Sequence, residues 1–192
     1  MAYTFEDLYE AAEMDDFDEV KRILQKQPAL IHGKDEYEFS VLHAAVMTEN
    51  EELIEFLLGQ GADVRASNDE GITPLHIVLY PQIAALLIRH GADVNAAADD
   101  GSTPLHTQVA DGEERLDVIE VLLEHGADKA RRDKRGLTPL AIARGARKRR
   151  LPCCLANVRH GVRHTLHPRC TPLPAPGVSL LEGGRSTASV DQ

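Results

Sequence analysis

The feature that most constrains this chain is that it repeats itself. Gly71-Ile72-Thr73-Pro74-Leu75-His76 leads through the apolar segment Ile83-Ala84-Ala85-Leu86-Leu87-Ile88-Arg89-His90 to Gly91-Ala92-Asp93. Gly101-Ser102-Thr103-Pro104-Leu105-His106 leads in the same way to Val121-Leu122-Leu123-Glu124-His125-Gly126-Ala127-Asp128, and Ser40-Val41-Leu42-His43 to Phe56-Leu57-Leu58-Gly59-Gln60-Gly61-Ala62-Asp63. A self-similar unit of roughly 30 to 35 residues means a solenoid, in which each unit contacts only its neighbours. Such a chain works as a surface, and the motif itself carries no visible chemistry.

Elementary physics sets the shape of one unit. Thr73 is a good N-cap, its hydroxyl able to accept from an orphan helix amide, and Pro74 at the first helical position loses nothing by lacking an N–H. Leu75, Ile77, Val78 and Leu79 supply one apolar face. Pro81 ends that helix and can open a second, whose face is Ile83, Leu86 and Leu87. Gly91 falls just past the second helix, where glycine most easily adopts the left-handed C-cap, and the polar stretch to Gly101 carries the chain out and back. Neither helix can bury its apolar face within the pair, so stability must come from stacking.

The in-phase recurrence of Thr-Pro-Leu-His at 73 and 103, with Gly-Ala-Asp at 61, 91 and 126, resembles the ankyrin repeat family over roughly residues 5 to 150. The resemblance implies an all-α solenoid of about four and a half repeats, with β-turn or hairpin fingers, paired helices and protein recognition on the concave side. It implies no cofactor and no catalytic residue. The expected organisation is a repeat domain over 1–150, with a divergent N-terminal cap (1–32), repeats at 33–65, 66–95 and 96–130, and an incomplete last repeat (131–151). A disordered tail is expected over 152–192.

Residues 4 to 31 fit the cap. Leu8, Ala11, Ala12, Val20, Ile23 and Leu24 recur at helical spacing amid acids, as a terminal repeat needs a polar outer face. Asp16 or Asp18 is placed to cap the second helix. In the following finger, Glu38 stands where later units have Gly71, Gly101 and Gly136, which predicts a locally different turn, because a left-handed residue other than glycine costs about 1 kcal/mol or more. Tyr37 and Phe39 beside it are either an exposed binding anchor or, for Phe39, packing against the next finger.

Fingers are in register and hinges are edited. From the capping Ser40, Thr73 or Thr103 to the next Gly-Ala-Asp glycine the offset is 21, 18 or 23 residues, whereas from each such glycine to the following capping Thr it is always 12. The short unit has Tyr80-Pro81-Gln82 for its hinge and the long one Asp111-Gly112-Glu113-Glu114-Arg115. Length changes in exposed turns cost little, but this one reshapes the wall near Tyr80. Gln108 stands at an alanine-like packing position and needs a hydrogen-bond partner if buried.

His43, His76 and His106 occupy one equivalent position, about one repeat apart and too far to share a metal ion at ligand distances near 2 Å; the resemblance makes this histidine a structural hydrogen-bonding group that ties adjacent fingers. His90 and His125 sit where they favour helix C-termini. No Ser-His-Asp, paired-carboxylate, P-loop or dinucleotide pattern is present. All three cysteines, Cys153, Cys154 and Cys170, lie beyond the repeats, so no disulfide framework or zinc spacing supports the fold. Glu6 and Asp7 fall where a secretory signal is basic, and no apolar run approaches membrane-spanning length. An intracellular, cytoplasmic location is expected, with a nuclear one compatible, and a monomer.

Charge carries the functional information. Residues 1–128 hold 28 acids against 7 bases, and 129–150 hold 10 bases against the single acid Asp133. By the resemblance, the variable finger positions are Glu36, Tyr37 and Phe39; Asp69, Glu70 and Ile72; Asp99, Asp100 and Ser102; and Lys134, Arg135 and Leu137. Three acidic fingers beside one basic finger, with Tyr80 on the nearby wall, should steer and orient a protein partner carrying a basic patch. The expected role is adaptor, inhibitor or masking protein. The alternative is a nucleic-acid-associated regulator using Arg131, Arg132 and Arg144 to Arg150, but no aromatic residue is interleaved there for base stacking and the acidic body repels phosphate. Arg144 to Arg150 reads instead as the polar hinge of the last repeat. After Leu151 the pattern stops in mid-unit; half of the prolines and every cysteine fall in the last 41 residues, which read either as a frame-shifted remnant or as a disordered tail bearing a peptide motif. In both cases the last full repeat keeps a poorly covered apolar face.

Overall fold

A computed structural model describes residues 2–110 and 115–148, the side chains of 146–148 excepted; the expectations about Asp111 to Glu114, Arg149 to Leu151 and the 152–192 tail lie outside the described residues. The chain forms α1 (Phe5–Glu13), α2 (Phe17–Lys26), a 3-10 turn (Pro28–His32), α3 (Val41–Ala45), α4 (Glu51–Gly59), α5 (Pro74–Ile77), α6 (Pro81–Arg89), α7 (Pro104–Ala110), α8 (Leu116–Glu124) and α9 (Pro139–Lys148). No strand occurs among the described residues. The odd-numbered helices pack in an inner row, each on the next, and α4, α6 and α8 in an outer row. Leu53, Ile54 and Leu57 of α4 and Ile83, Ala84, Leu86 and Leu87 of α6 are all fully buried between these layers, as burial by stacking requires. Outer helix α8 buries only Val118 and Leu122 and leaves Ile119, Val121 and Leu123 half-buried.

The helix ends follow the motif residues. Asp16 caps α2, its Oδ1 accepting from the Glu19 N–H at 3.0 Å. Pro74 and Pro81 both open helices, α5 and α6. Gly61, Gly91 and Gly126 take φ of +94°, +94° and +86° just past their helices, and the Asp two residues on turns the chain, its Oδ1 accepting the N–H of Arg65, Asn95 or Ala130. One boundary differs from the sequence reading. Arg144 to Lys148 continue α9 instead of forming a hinge; alanine, arginine and lysine are strong helix formers and no proline interrupts them.

The repeated histidine binds repeat to repeat. At Thr73 the backbone N–H donates to His76 Nδ1 at 3.1 Å, with the hydroxyl 2.8 Å from the same nitrogen; the hydroxyl is thus turned to the ring. Ser40–His43 and Thr103–His106 repeat the arrangement. Because Nδ1 accepts, Nε2 carries the proton, and it donates to the Ile72, Ser102 or Leu137 carbonyl of the following finger at 3.0, 3.3 and 3.2 Å. All three rings are buried. Burial pushes His43 and His76 below the ordinary value of 6.5, against the smaller opposing effect of the carbonyl each ring donates to.

The fingers that these rings hold are closed by a second device. Asp35 Oδ1 accepts from the N–H groups of Tyr37 and Phe39 at 2.9 and 2.8 Å, Asn68 Oδ1 from Glu70 and Ile72 at 3.0 and 2.8 Å, and Asp133 Oδ1 from Arg135 and Leu137 at 2.9 and 2.8 Å. The expectation of a different turn at Glu38 is wrong. Glu38 has φ +62°, in the same left-handed region as Gly71 (+75°), Gly101 (+80°) and Gly136 (+76°). Its N–H donates to the Asp35 carbonyl at 3.1 Å, as those of the glycines do to residues 68, 98 and 133, and its carboxylate pairs with Lys34 at 3.1 Å. Strain persists where neighbouring bonds over-determine it. Glycine is needed more strictly elsewhere: a Cβ on Gly71 would lie 2.9 Å from the Asp99 nitrogen of the next finger.

The two edited hinges are one structural event. The short hinge stops α5 after Ile77 and leaves the His76 and Val78 carbonyls without a following helical turn. Gln108, fully buried in α7, donates Nε2 to both at 3.0 Å, and Arg115 at the end of the long hinge donates to the Val78 carbonyl at 3.1 Å and to Gln108 Oε1 at 3.4 Å.

Three outcomes follow from these bonds. Gln108→Leu strips a donor from two buried carbonyls and should lower unfolding free energy by about 1–3 kcal/mol in urea titration. Glu38→Gly relieves a left-handed residue and loses only an exposed ion pair, so it should raise the unfolding free energy by up to about 1 kcal/mol, read as a higher urea midpoint. The third concerns pH. His43 and His76 have folded pKa values below their unfolded ones, so the unfolded chain binds protons first as pH falls. Their stabilisation is complete above 6.5 and is lost below it, giving a Tm that declines between pH 7 and pH 5.5, whereas a His43→Gln/His76→Gln variant shows a flatter profile.

Candidate functional site

Adjacent fingers are laced tip to tip by single backbone hydrogen bonds. The Asp69 N–H donates to the Tyr37 carbonyl at 3.1 Å, Asp99 to Glu70 at 2.8 Å and Lys134 to Asp100 at 2.8 Å. The lacing uses main chain only, so it does not consume the side chains of Asp69, Asp99 and Lys134, which are exposed. Glu36, Tyr37, Asp69, Glu70, Asp99, Asp100, Lys134 and Arg135 are exposed, while Phe39, Ile72 and Ser102 are half-buried. Phe39 sits edge-on to His43, ring centroids 5.2 Å apart, so it guards the buried imidazole.

Fingers two to four and the helices behind them enclose a groove of about 1110 Å³. Six of the positions read from the sequence line it: Glu70, Ile72, Asp99, Asp100, Ser102 and Arg135. Leu137 adds to its apolar side. Glu36, Tyr37, Phe39, Asp69 and Lys134 lie outside this lining, on the finger row itself, and Tyr80 is not brought into it. Tyr80 is instead the residue that starts α6, half-buried against the core.

The groove's electrostatics are polarised along the stack. Glu70, Asp99 and Asp100 make one wall acidic. Asp100 is held by Ser102, whose N–H donates to Oδ1 at 2.8 Å and whose hydroxyl donates to Oδ2 at 2.9 Å. At the other end Arg135 is positioned by Asp133, Nε and Nη2 lying 2.8 and 2.7 Å from Oδ2. Burial would raise the Asp133 carboxyl, but the Leu137 N–H and the Arg135 guanidinium outweigh it and hold the group below the ordinary carboxylate range. Asp133 is therefore an anion at neutral pH that both closes its finger and fixes Arg135 in the groove lining.

Sequence reasoning missed the floor. Thr107 and Ala110 from α7 and Ala141, Ile142 and Gly145 from α9 form it. Helical spacing identifies these as helix positions, but only the stack decides that they face the groove and not solvent. What the arrangement offers is shape, charge and a shallow apolar floor. Among the described residues no cluster of three or more His, Cys, Asp or Glu side chains is placed to hold a metal ion, and no helix is long and apolar enough to cross a membrane.

Comparison with known proteins agrees with this architecture. The chain is 31% identical over 70 residues to alpha-latrocrustotoxin-Lt1a of Latrodectus tredecimguttatus, a match covering 36% of this chain and 5% of the toxin. It is 37% identical over 76 residues to protein phosphatase 1 regulatory subunit 27 of Mus musculus, covering 38% of this chain and 49% of that subunit. The chain thus spans at most about half the length of these curated relatives. The family model for ankyrin repeats in three copies matches residues 8–98 and 79–155. With motif, finger, histidine bridge and family model in agreement over most of its length, the chain belongs to the ankyrin repeat family.

Proposed function

We propose that this protein is a non-catalytic recognition module that binds a protein partner with a basic surface through its acidic fingers and the groove beneath them. The observation that carries the reading is the placement of Glu70, Asp99 and Asp100, exposed and in register, on one wall of a groove with an apolar floor. Rigid fingers laced by backbone bonds hold those carboxylates in place before a partner arrives, which cuts the ordering cost of binding. A row of fixed negative charge speeds encounter with a basic surface, and the single positive tip at Lys134 and Arg135 sets which way round the partner lies. Likeness to a phosphatase regulatory subunit supports a role exerted on another protein, as adaptor, inhibitor or masking protein. Which residues of the partner are read follows from the same charges: lysine or arginine opposite the second and third fingers, a carboxylate opposite the fourth.

The test uses the full chain as bait in lysate of its own source, beside an Asp69→Lys/Asp99→Lys/Asp100→Lys variant. A partner with a basic surface retained by the parent and lost by the variant supports the reading. The same partners on both baits overturn it, because the finger charges would then only solvate the protein.

A further inference from the structure

At the far end of each helix pair from the fingers lies a second surface. Met47, Tyr80, Ala110 and Gly145 each fall seven residues after the capping residue of their repeat, and Met14 follows Ala11-Ala12 as Met47 follows Ala44-Ala45. The last two are small and belong to the finger groove. Met14, Met47 and Tyr80 are large and apolar. Met14 is 70% exposed and Met47 44% exposed, among the few large hydrophobic side chains left open to solvent. The first two repeats otherwise bury their helix faces, so a pair of open methionines in their consecutive hinges calls for a reason.

Their surroundings are acidic and fixed. Glu13, Asp15, Asp16, Glu49, Glu51 and Glu52 flank the two methionines and are all exposed, and the hinge stretches 13–16, 47–52 and 80–82 contain no lysine or arginine. On α2, Lys21 lies over the Phe17 ring at 3.5 Å and Arg22 pairs with Glu19, while beside the third hinge Arg115 donates to the Val78 carbonyl at 3.1 Å. The hinges are tied to one another: Asn50 Nδ2 donates to Asp15 Oδ1 at 2.7 Å, and Gln82 Nε2 donates to Glu49 Oε1 at 3.1 Å. Met14 and Met47 thus sit on tied consecutive hinges flanked by exposed carboxylates, with half-buried Tyr80 on the hinge that follows.

We infer that this hinge row docks an amphipathic helix of a protein partner, its apolar side chains on Met14, Met47 and Tyr80 and its lysines or arginines against the flanking carboxylates. Three features select a helix of that chemistry. Methionine adapts its shape and serves where one surface must accept varied apolar side chains. Packed helices lie about 8–10 Å apart, and residues i and i+7 of a helix are about 10.5 Å apart along its axis, so one apolar side chain per two turns meets one hinge. The row presents helix ends with no strand edge, so an extended peptide has no backbone to pair with. The inference is independent of the finger reading, since none of its residues lines the finger groove.

The probe is a fluorescein-labelled leucine/lysine peptide of about 18 residues, five helical turns, with all leucines on one face, titrated with the full chain at 0.15 M salt, where screening confines charge effects to about 8 Å. Saturable binding is expected. Met14→Gln/Met47→Gln, at exposed positions where circular dichroism should be unchanged, is expected to weaken it about tenfold or more, and Asp69→Lys/Asp99→Lys/Asp100→Lys to change it by less than about threefold. With methyl-labelled methionine, the Met14 and Met47 resonances should shift on binding while Met1 does not. The inference is overturned if the peptide does not bind, if a peptide of equal composition with dispersed leucines binds as well, if the glutamine variant binds as tightly as the parent, if the finger variant loses as much as the glutamine variant, or if the methionine resonances stay in place.

Discussion

Each repeat is fastened to the next by one imidazole used at both nitrogens. Nδ1 accepts from the capping residue's own amide, which fixes the start of an inner helix, and Nε2 donates to a carbonyl in the following finger. A single side chain therefore sets helix entry, finger position and repeat spacing at once. Charge on the ring would put a proton on Nδ1, facing the amide it must accept from. The neutral tautomer is thus a condition of the architecture, and burial enforces it. In the cap, Asp7 stands three residues after Thr4 and supplies the capping half: the Thr4 N–H donates to Asp7 Oδ2 at 2.7 Å, and a carboxylate has no proton to donate to the following finger. The series starts with a carboxylate and continues with imidazoles because only the latter can reach both ways.

Conservation of finger geometry against variation in hinge length follows from that coupling. A finger shifted by one residue would break an imidazole bond on one side and a tip-to-tip amide bond on the other. A hinge is bound only to its neighbours, so its length can drift if the carbonyls it exposes are satisfied. The shortened third hinge and the longer fourth one are reconciled through Gln108 and Arg115, which donate into the gap left at the end of α5. A polar residue at a position of full burial thus carries a local repair that keeps the stacking period unchanged.

Repetition made most of the fold legible. Thr-Pro-Leu-His, Gly-Ala-Asp and the spacing of apolar residues placed the helices, the left-handed glycines and the histidine bridge, because each of these depends on residues near one another in sequence. Glu38 shows where the sequence misleads. A glutamate argues against a left-handed turn, yet Asp35, Lys34 and the adjoining finger impose it, and their combined bonds outweigh about 1 kcal/mol of strain. Arg144 to Lys148 mislead in the opposite sense: charge density suggested a hinge, whereas helix propensity prevails. The groove was half legible. Finger charges could be read directly, but Thr107, Ala110 and Ile142 gain their role from stacking, which no local pattern encodes. Tyr80, chosen for its altered hinge, starts α6 and does not line the groove.

That displacement matters for how the acidic charge is understood. An excess of 28 acids over 7 bases in the first 128 residues could be spread evenly as solubilising charge. Part of it is gathered at the two ends of the inner helices, on the fingers (Glu70, Asp99, Asp100) and beside the first two hinges (Glu13, Asp15, Asp16, Glu49, Glu51, Glu52). At the fingers, acids stand on main-chain hairpins over a floor of small residues, a shape suited to side chains that insert. At the hinges they surround protruding methionines, a shape suited to a surface that lies across them. The position seven residues after the capping residue holds Met47 and Tyr80 in the second and third units and Ala110 and Gly145 in the last two, so one position changes from large to small side chains along the stack. The two surfaces therefore differ in what they can accept although their charge is alike, and net charge alone would not distinguish them.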